Sequence, residues 1–223
     1  KEAFDYALNI CKENSIKPIY FLNMHAIINK NPILSAQVLF LKENSINFRN
    51  FCSSNRIKEP EYLNIKPKEF NKFCLENKID LDLIKSYQGK IVNLDDLKLI
   101  DKKNDLYLSS HLFKHYNSIN LSDEEFNNLL IENKKYLQSF KNYLSTFAFT
   151  NGQPKSCFNI ENVKILKSLN FKIIFSSFGS LYSDGFLFDR LVLTDNDDTE
   201  NKIKQKILIS YFKKFFYFKK LYL

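Results

Sequence analysis

Two of the chain's three histidines, His111 and His115, stand four residues apart in Ser109-Ser110-His111-Leu112-Phe113-Lys114-His115. Neutral imidazole nitrogens at this spacing can hold one divalent ion, from a helical face or from the loop that ends a strand. A catalytic zinc takes three protein ligands and keeps a further position open for water. The pair is therefore two thirds of a ligand set, and a third ligand is required. His25, in Asn23-Met24-His25, lies just past a predicted strand with no partner near it in sequence, and it reads as a structural residue. By itself an HxxxH pair is a weak signal, because surface and core histidines outnumber ligands at this spacing.

The elements around the pair raise its weight. Asp105 to Ser110 reads as a strand that delivers His111 at its carboxyl end. Before it, Glu2 to Asn14 sets Phe4, Ala7, Leu8 and Cys11 at helical spacing, and Ser15-Ile16-Lys17-Pro18 ends that helix. Ile19 to Leu22 follows as a short strand rich in β-favouring residues. Pro32 opens a helical stretch through Leu41, and short helices are expected over Lys68–Asn77, Leu81–Tyr87 and Leu94–Leu99. After the pair, Ser122 and Glu125 form a capping-box pattern that starts a helix to about Phe140. Thr146–Thr150, Lys172–Ser176 and Phe186–Leu193 read as strands, Asn159 caps a helix to Leu169, and a last helix runs from about Thr199. Strands alternating with helices predict a single α/β domain with a mainly parallel sheet or barrel. In such folds the active site gathers at the carboxyl ends of the strands, where His111 is expected.

Composition narrows the function classes. The 223 residues, 44% hydrophobic and 26% charged, suit one globular domain. The net charge of +8 invites phosphate, but it is lysine spread from end to end; only Arg49, Arg56 and Arg190 are arginines. Arginine is the side chain that forks onto phosphate and guanine, so nucleic acid is not an expected partner. Gly89, Gly152, Gly179 and Gly185 are isolated, which excludes a glycine-rich nucleotide loop. Cys11, Cys52, Cys74 and Cys157 show no CxxC spacing and read as reduced, mostly buried thiols, which favours a cytoplasmic location. No apolar run approaches the roughly 18 residues of a membrane span, and no signal peptide opens the sequence, which starts at Lys1. The last stretch, Ile209 to Leu223, interleaves lysines with aromatics. Such a pattern more often docks as a terminal helix, and it can also lie on a membrane surface.

Taken in order, the strand before His111, SSHLFKH, LSDEEFNNLLIENKKYL, FAFTNG and VKILKSLNFKIIFSS resemble the polysaccharide deacetylase family, carbohydrate esterase family 4. In that family an H-[ST]-x-x-H motif supplies two metal ligands, followed by a Leu-Ser-x-Glu-Glu helix, an F-x-Y-P-Y-G strand end and a Leu-Lys-x-x-Gly-Phe-Lys helix and strand. Asn93-Leu94-Asp95-Asp96-Leu97 is similar to a short helix that precedes the histidines in some members. The resemblance covers nearly the whole chain. It implies an incomplete or distorted (β/α) barrel, in one domain over residues 1–223, that lacks the first strand. The family's Asp-Asp motif, which provides the base and the third ligand, ends that first strand and runs into a helix like Lys1-Glu2-Ala3-Phe4. The aspartates are thus expected upstream of Lys1.

The implied activity is metal-dependent removal of acetyl groups from a sugar or polysaccharide, with zinc as cofactor and surface-polysaccharide synthesis as its setting. His111 and His115 would be metal ligands, and Asn151 and Gly152 would contact substrate. The chain departs from the family where Thr150-Asn151 replaces Pro-Tyr. It departs again where Leu193-Thr194-Asp195 stands in place of the L-x-H general acid, since no histidine follows His115. Asp195 is a poor acid at its ordinary pKa of about 3.9. Asp95-Asp96 follows the wrong element to replace the catalytic pair and reads as a charged helix face. The expected chain is a catalytically incomplete deacetylase; the alternative is a non-catalytic relative that binds glycan or a partner.

Overall fold

The computed structural model describes residues 2–194 and 196–222, apart from the side chains of residues 2, 3 and 215–222. Its centre is a sheet of β1 (Ile19–Leu22), β2 (Tyr107–Ser110), β3 (Tyr143–Ala148), β4 (Ile173–Ser176) and β5 (Leu187–Asp189). The five strands lie in sequence order and every neighbouring pair is parallel. The helices are α1 (Glu2–Glu13), α2 (Met24–Asn29), α3 (Leu34–Asn44), α4 (Ile46–Ser54), α5 (Glu61–Asn64), α6 (Pro67–Glu76), α7 (Leu81–Gln88), α8 (Leu94–Lys103), α9 (Asp123–Leu137), α10 (Ile160–Ser168) and α11 (Glu200–Tyr222).

Partners across a parallel register share a face. Leu22, Ser110, Phe147, Ile174 and Leu187 therefore line one side of the sheet. Helices cover that side. Phe147, Ile174 and Leu187 pack with Phe126 and Leu130 of α9 and with Val163 and Leu166 of α10. Leu22 and Leu108 pack with Phe4 and Leu8 of α1, Leu97 and Ile100 of α8, and Leu137 of α9. The long crossover from β1 to β2 carries α2 to α8, and α3, α4 and α6 build a separate core around Val38, Phe48, Ile65, Phe70 and Phe73.

The other face holds Phe21, Ser109, Thr146, Phe175 and Phe188, and it is concave. On a flat sheet β1 and β4 would stand about 14 Å apart, three strand spacings. Yet the rings of Phe21 and Phe175 meet edge to face at 5.4 Å, and Phe175 leans on Phe188 at 6.1 Å. The guanidinium of Arg190, just past β5, lies 5.8 Å from the Phe21 ring on β1. Such contacts require the sheet to curl until its first and last strands approach each other.

Buried Asn133 of α9 ties the carboxyl ends of β1 and β2 together. Its amide donates to the Leu22 carbonyl at 2.9 Å and to Ser110 Oγ at 2.8 Å, and its carbonyl accepts from the Met24 amide at 3.0 Å. The capping box at Ser122 is present and Asn159 caps its helix, as the sequence implies; Asn159 does so through a box with Asn162, and Asn93 with Asp96 forms a third. Asp95 and Asp96 thus stand in the first turn of α8, with Asp95 3.6 Å from Lys98. Boundaries shift elsewhere. β3 starts at Tyr143 and ends before Thr150, β5 stops at Asp189, and α9 ends at Leu137. Helices α2, α4 and α5 are additional to the sequence-based reading. Replacing Asn133 with Ala leaves a buried carbonyl, amide and hydroxyl without this partner. Urea unfolding should then show a loss of about 3 kcal/mol.

Candidate functional site

His111 follows the last residue of β2, and its backbone amide continues the ladder to Leu22 O at 3.1 Å. The chain then leaves the sheet sharply. Leu112 has φ +68, a left-handed conformation that costs a non-glycine residue roughly 1–2 kcal/mol. Full burial of its side chain among Phe126, Phe149 and Phe158 offsets that cost. The pair is therefore on a strand-end loop rather than a helix. Asn23 fixes the loop from the end of β1: its amide donates to the carbonyls of His111 and, at 3.0 Å, Leu112. One residue on from α2's start, the His25 amide donates to Phe113 O at 3.1 Å.

This turn brings the imidazoles of His111 and His115 to 5.1 Å between ring centres, inclined by 64°. His111 Nδ1 lies 2.7 Å from the carbonyl oxygen of Ala148 at the end of β3. A carbonyl only accepts, so Nδ1 carries the proton and the neutral ring keeps its lone pair on Nε2. Metal-binding histidines are held in this way, with one nitrogen donating to a carbonyl and the other free for the ion. Burial pushes the His111 pKa from 6.5 down to about 3, with further lowering from His115 and Arg190 that the Ala148 hydrogen bond partly opposes. Burial also lowers His115. Both rings are neutral at pH 7, the form that binds metal.

His25 is closer to the pair than its sequence position suggests. It packs edge to face on Phe113 at 5.3 Å and shares with His115, Asn23, Gln37 and Tyr116 a cavity of about 40 Å³. Burial, and the nearby charge of Lys114, lower its pKa as well. Even so, among the described residues no group of three His, Cys, Asp or Glu side chains is placed to hold a metal ion. The described residues fit a metal as two ligands of an incomplete set.

Asn151 and Gly152 lie in the turn after β3, at the same end of the sheet, with φ of +62 and +68. Their contacts run to the end of β4. Ser177 Oγ donates to Asn151 O at 2.6 Å and the Ser177 amide to Gly152 O at 2.8 Å. A Cβ on Gly152 would stand 2.8 Å from the Ser177 nitrogen, so only glycine fits this approach. Among the described residues no hydrogen bond or ring contact joins this turn to the imidazoles. The Thr150 hydroxyl is occupied in donating to the Tyr116 carbonyl. Asp195, the counterpart of the expected general acid, lies outside the described residues.

Two residues at the site carried no motif. Buried Asp189 accepts from Ser176 Oγ at 2.7 Å, the Phe178 amide at 2.7 Å, Ser180 Oγ at 2.6 Å and the Ser180 amide, and so folds the loop after β4. Arg190 donates from Nε to Ser176 O at 3.1 Å and turns its guanidinium into the concave face over Phe21. The available signal was its rarity, one arginine of three in a lysine-rich chain.

No known protein-family profile, curated protein or solved structure matches the chain. The deacetylase resemblance therefore rests on its motifs and their order.

The depressed His111 pKa has a stability consequence. Between pH 6.5 and about 3 the unfolded chain binds a proton that the folded ring refuses, so stability falls as pH drops through that window. At pH 5 this loss should approach about 2 kcal/mol from His111 alone. Urea unfolding at pH 7 and pH 5 should show a smaller pH dependence in His111→Gln than in the wild type.

Proposed function

We propose that the chain is a polysaccharide-deacetylase-like domain, an incomplete (β/α) barrel whose His111 and His115 supply two ligands to a divalent metal, zinc by preference. The observation that carries this reading is the pairing of two neutral imidazoles at the carboxyl end of a parallel sheet, one of them held through Nδ1 by Ala148 O with Nε2 free. Strands in sequence order and the curl of the sheet support the barrel. The bound ion would polarise an acetyl carbonyl and acidify its water. The chain's own residues would position these groups. Asn23 and Ala148 hold the His loop, and Arg190 sets a fixed positive charge beside it. Asn151 and Gly152 form a rigid turn at the rim against which the sugar would lie.

The third ligand and the base would come from a carboxylate outside the described residues. β1 pairs only with β2 among those residues, so its other edge is free to take a further parallel strand. The substrate class is an acetylated sugar or polysaccharide, and cytoplasmic surface-polysaccharide synthesis is the setting that fits best. A second reading, a non-catalytic domain that binds glycan or a partner, draws on the absence of a described three-ligand group and on the engaged Thr150 hydroxyl.

Titration with zinc, read by calorimetry on wild type and His111→Ala, separates these readings. One equivalent bound by the wild type and lost in the variant supports the metal site; acetate release from N-acetylglucosamine oligomers then tests catalysis. Equal zinc uptake by both proteins contradicts it, and none by either contradicts a site that His111 and His115 can form without a carboxylate from outside the chain. Glycan binding that survives His111→Ala would favour the second reading.

A further inference from the structure

The terminal helix α11 is attached by a narrow, mixed stripe and turns its largest described apolar side chains away from the body. Ser210 is only 1% exposed, and Ile203 and Lys206 are half-buried, so positions 203, 206 and 210 mark the docked side at helical spacing. Lys206 reaches Asp197 at 2.5 Å, and Lys213 lies 5.7 Å from the Phe178 ring. On the far side Leu208 is 60%, Tyr211 62% and Phe212 63% exposed. An ordinary docked helix does the reverse and buries its apolar stripe. Large apolar side chains clustered on an exposed face mark an interaction surface.

Charge decides what covers that face. Residues 197–223 hold seven lysines, at 202, 204, 206, 213, 214, 219 and 220, against three acidic residues, which is half the chain's net charge of +8. Lys202, Lys204 and Lys206 pair with Asp198, Glu200 and Asp197, so the positive charge concentrates from Lys213 on. From Tyr211 on, the sequence adds Phe212, Phe215, Phe216, Tyr217, Phe218 and Tyr222 between those lysines. Aromatic rings favour the level of lipid headgroups, and lysines reach anionic phosphates from there. Among the described residues no helix is long and apolar enough to cross a membrane, so a helix of this kind lies along the surface.

We propose that α11 docks the protein on a membrane surface rich in anionic phospholipid, with Leu208, Tyr211 and Phe212 entering the interface and the lysines from Lys213 on contacting headgroups. The inference stands on α11 alone and does not depend on the metal site. The test is co-sedimentation of the whole chain with vesicles of phosphatidylcholine, with and without one quarter phosphatidylglycerol. The wild type should bind the anionic vesicles, release them in high salt, and bind neutral vesicles at least tenfold more weakly. The double substitution Leu208→Glu with Phe212→Glu should lower binding at least tenfold, with circular dichroism and melting temperature unchanged because both side chains are exposed. Absent binding, or binding unchanged by the substitutions, overturns the proposal. So does a wild-type dimer, silent toward vesicles, that the substitutions convert to a monomer; the face would then join two copies of the chain.

Discussion

The curl of the parallel sheet is the constraint on which the site depends. Strand ends gather functional groups only if the sheet bends enough to point them at a common space. Here Phe21 on β1 touches Phe175 on β4, and Arg190 beyond β5 covers Phe21. These two contacts draw together strands that a flat sheet would hold well apart. Helices pack on the opposite side, where Phe147, Ile174 and Leu187 are buried, so the concave side is left for side chains of other chemistry. Ser109 and Thr146 occupy its interior, hydroxyl to hydroxyl at 2.6 Å, and His111 and Arg190 stand toward the mouth.

Within that frame the His loop is held from three directions. β1 contributes Asn23, β3 contributes the Ala148 carbonyl, and α9 contributes Asn133 through Leu22 and Ser110. These contacts keep Leu112 in its left-handed conformation, which a free loop would abandon. Strain and low basicity have one origin: the loop is pressed into the protein deeply enough that both rings lose water. A ring that loses water and meets a carbonyl is a neutral ligand with a defined free nitrogen.

Much of this was legible in the sequence. Ile19–Leu22 is read as a strand and is one, and the Ser122 box and the Asn159 cap give the starts of α9 and α10 because capping is local chemistry. Short elements were harder. Helix α2 spans six residues, too few for periodicity to register, and Val192 and Leu193 look like strand yet stand exposed beyond Asp189. The hidden part of the site is its long-range support. Asn133 lies more than a hundred residues from Leu22, and Arg190 comes to Phe21 only through the curl. His25 reads as solitary for the same reason, although it shares a cavity with His115. The aromatic tail suggests a docked helix by composition, and only the structure shows Leu208, Tyr211 and Phe212 turned outward.

The central claim is that His111 is a neutral, Nδ1-protonated imidazole whose Nε2 is ready for a metal ion. Long-range proton–nitrogen NMR of the imidazole side chains, recorded at pH 6 before and after zinc, tests it most directly. The account predicts a protonated Nδ1 and an unprotonated Nε2 in the free protein, with zinc moving the Nε2 resonances of His111 and His115 and leaving His25 in place. A doubly protonated His111 at pH 6, the opposite tautomer, or a zinc-induced shift confined to His25 would contradict it.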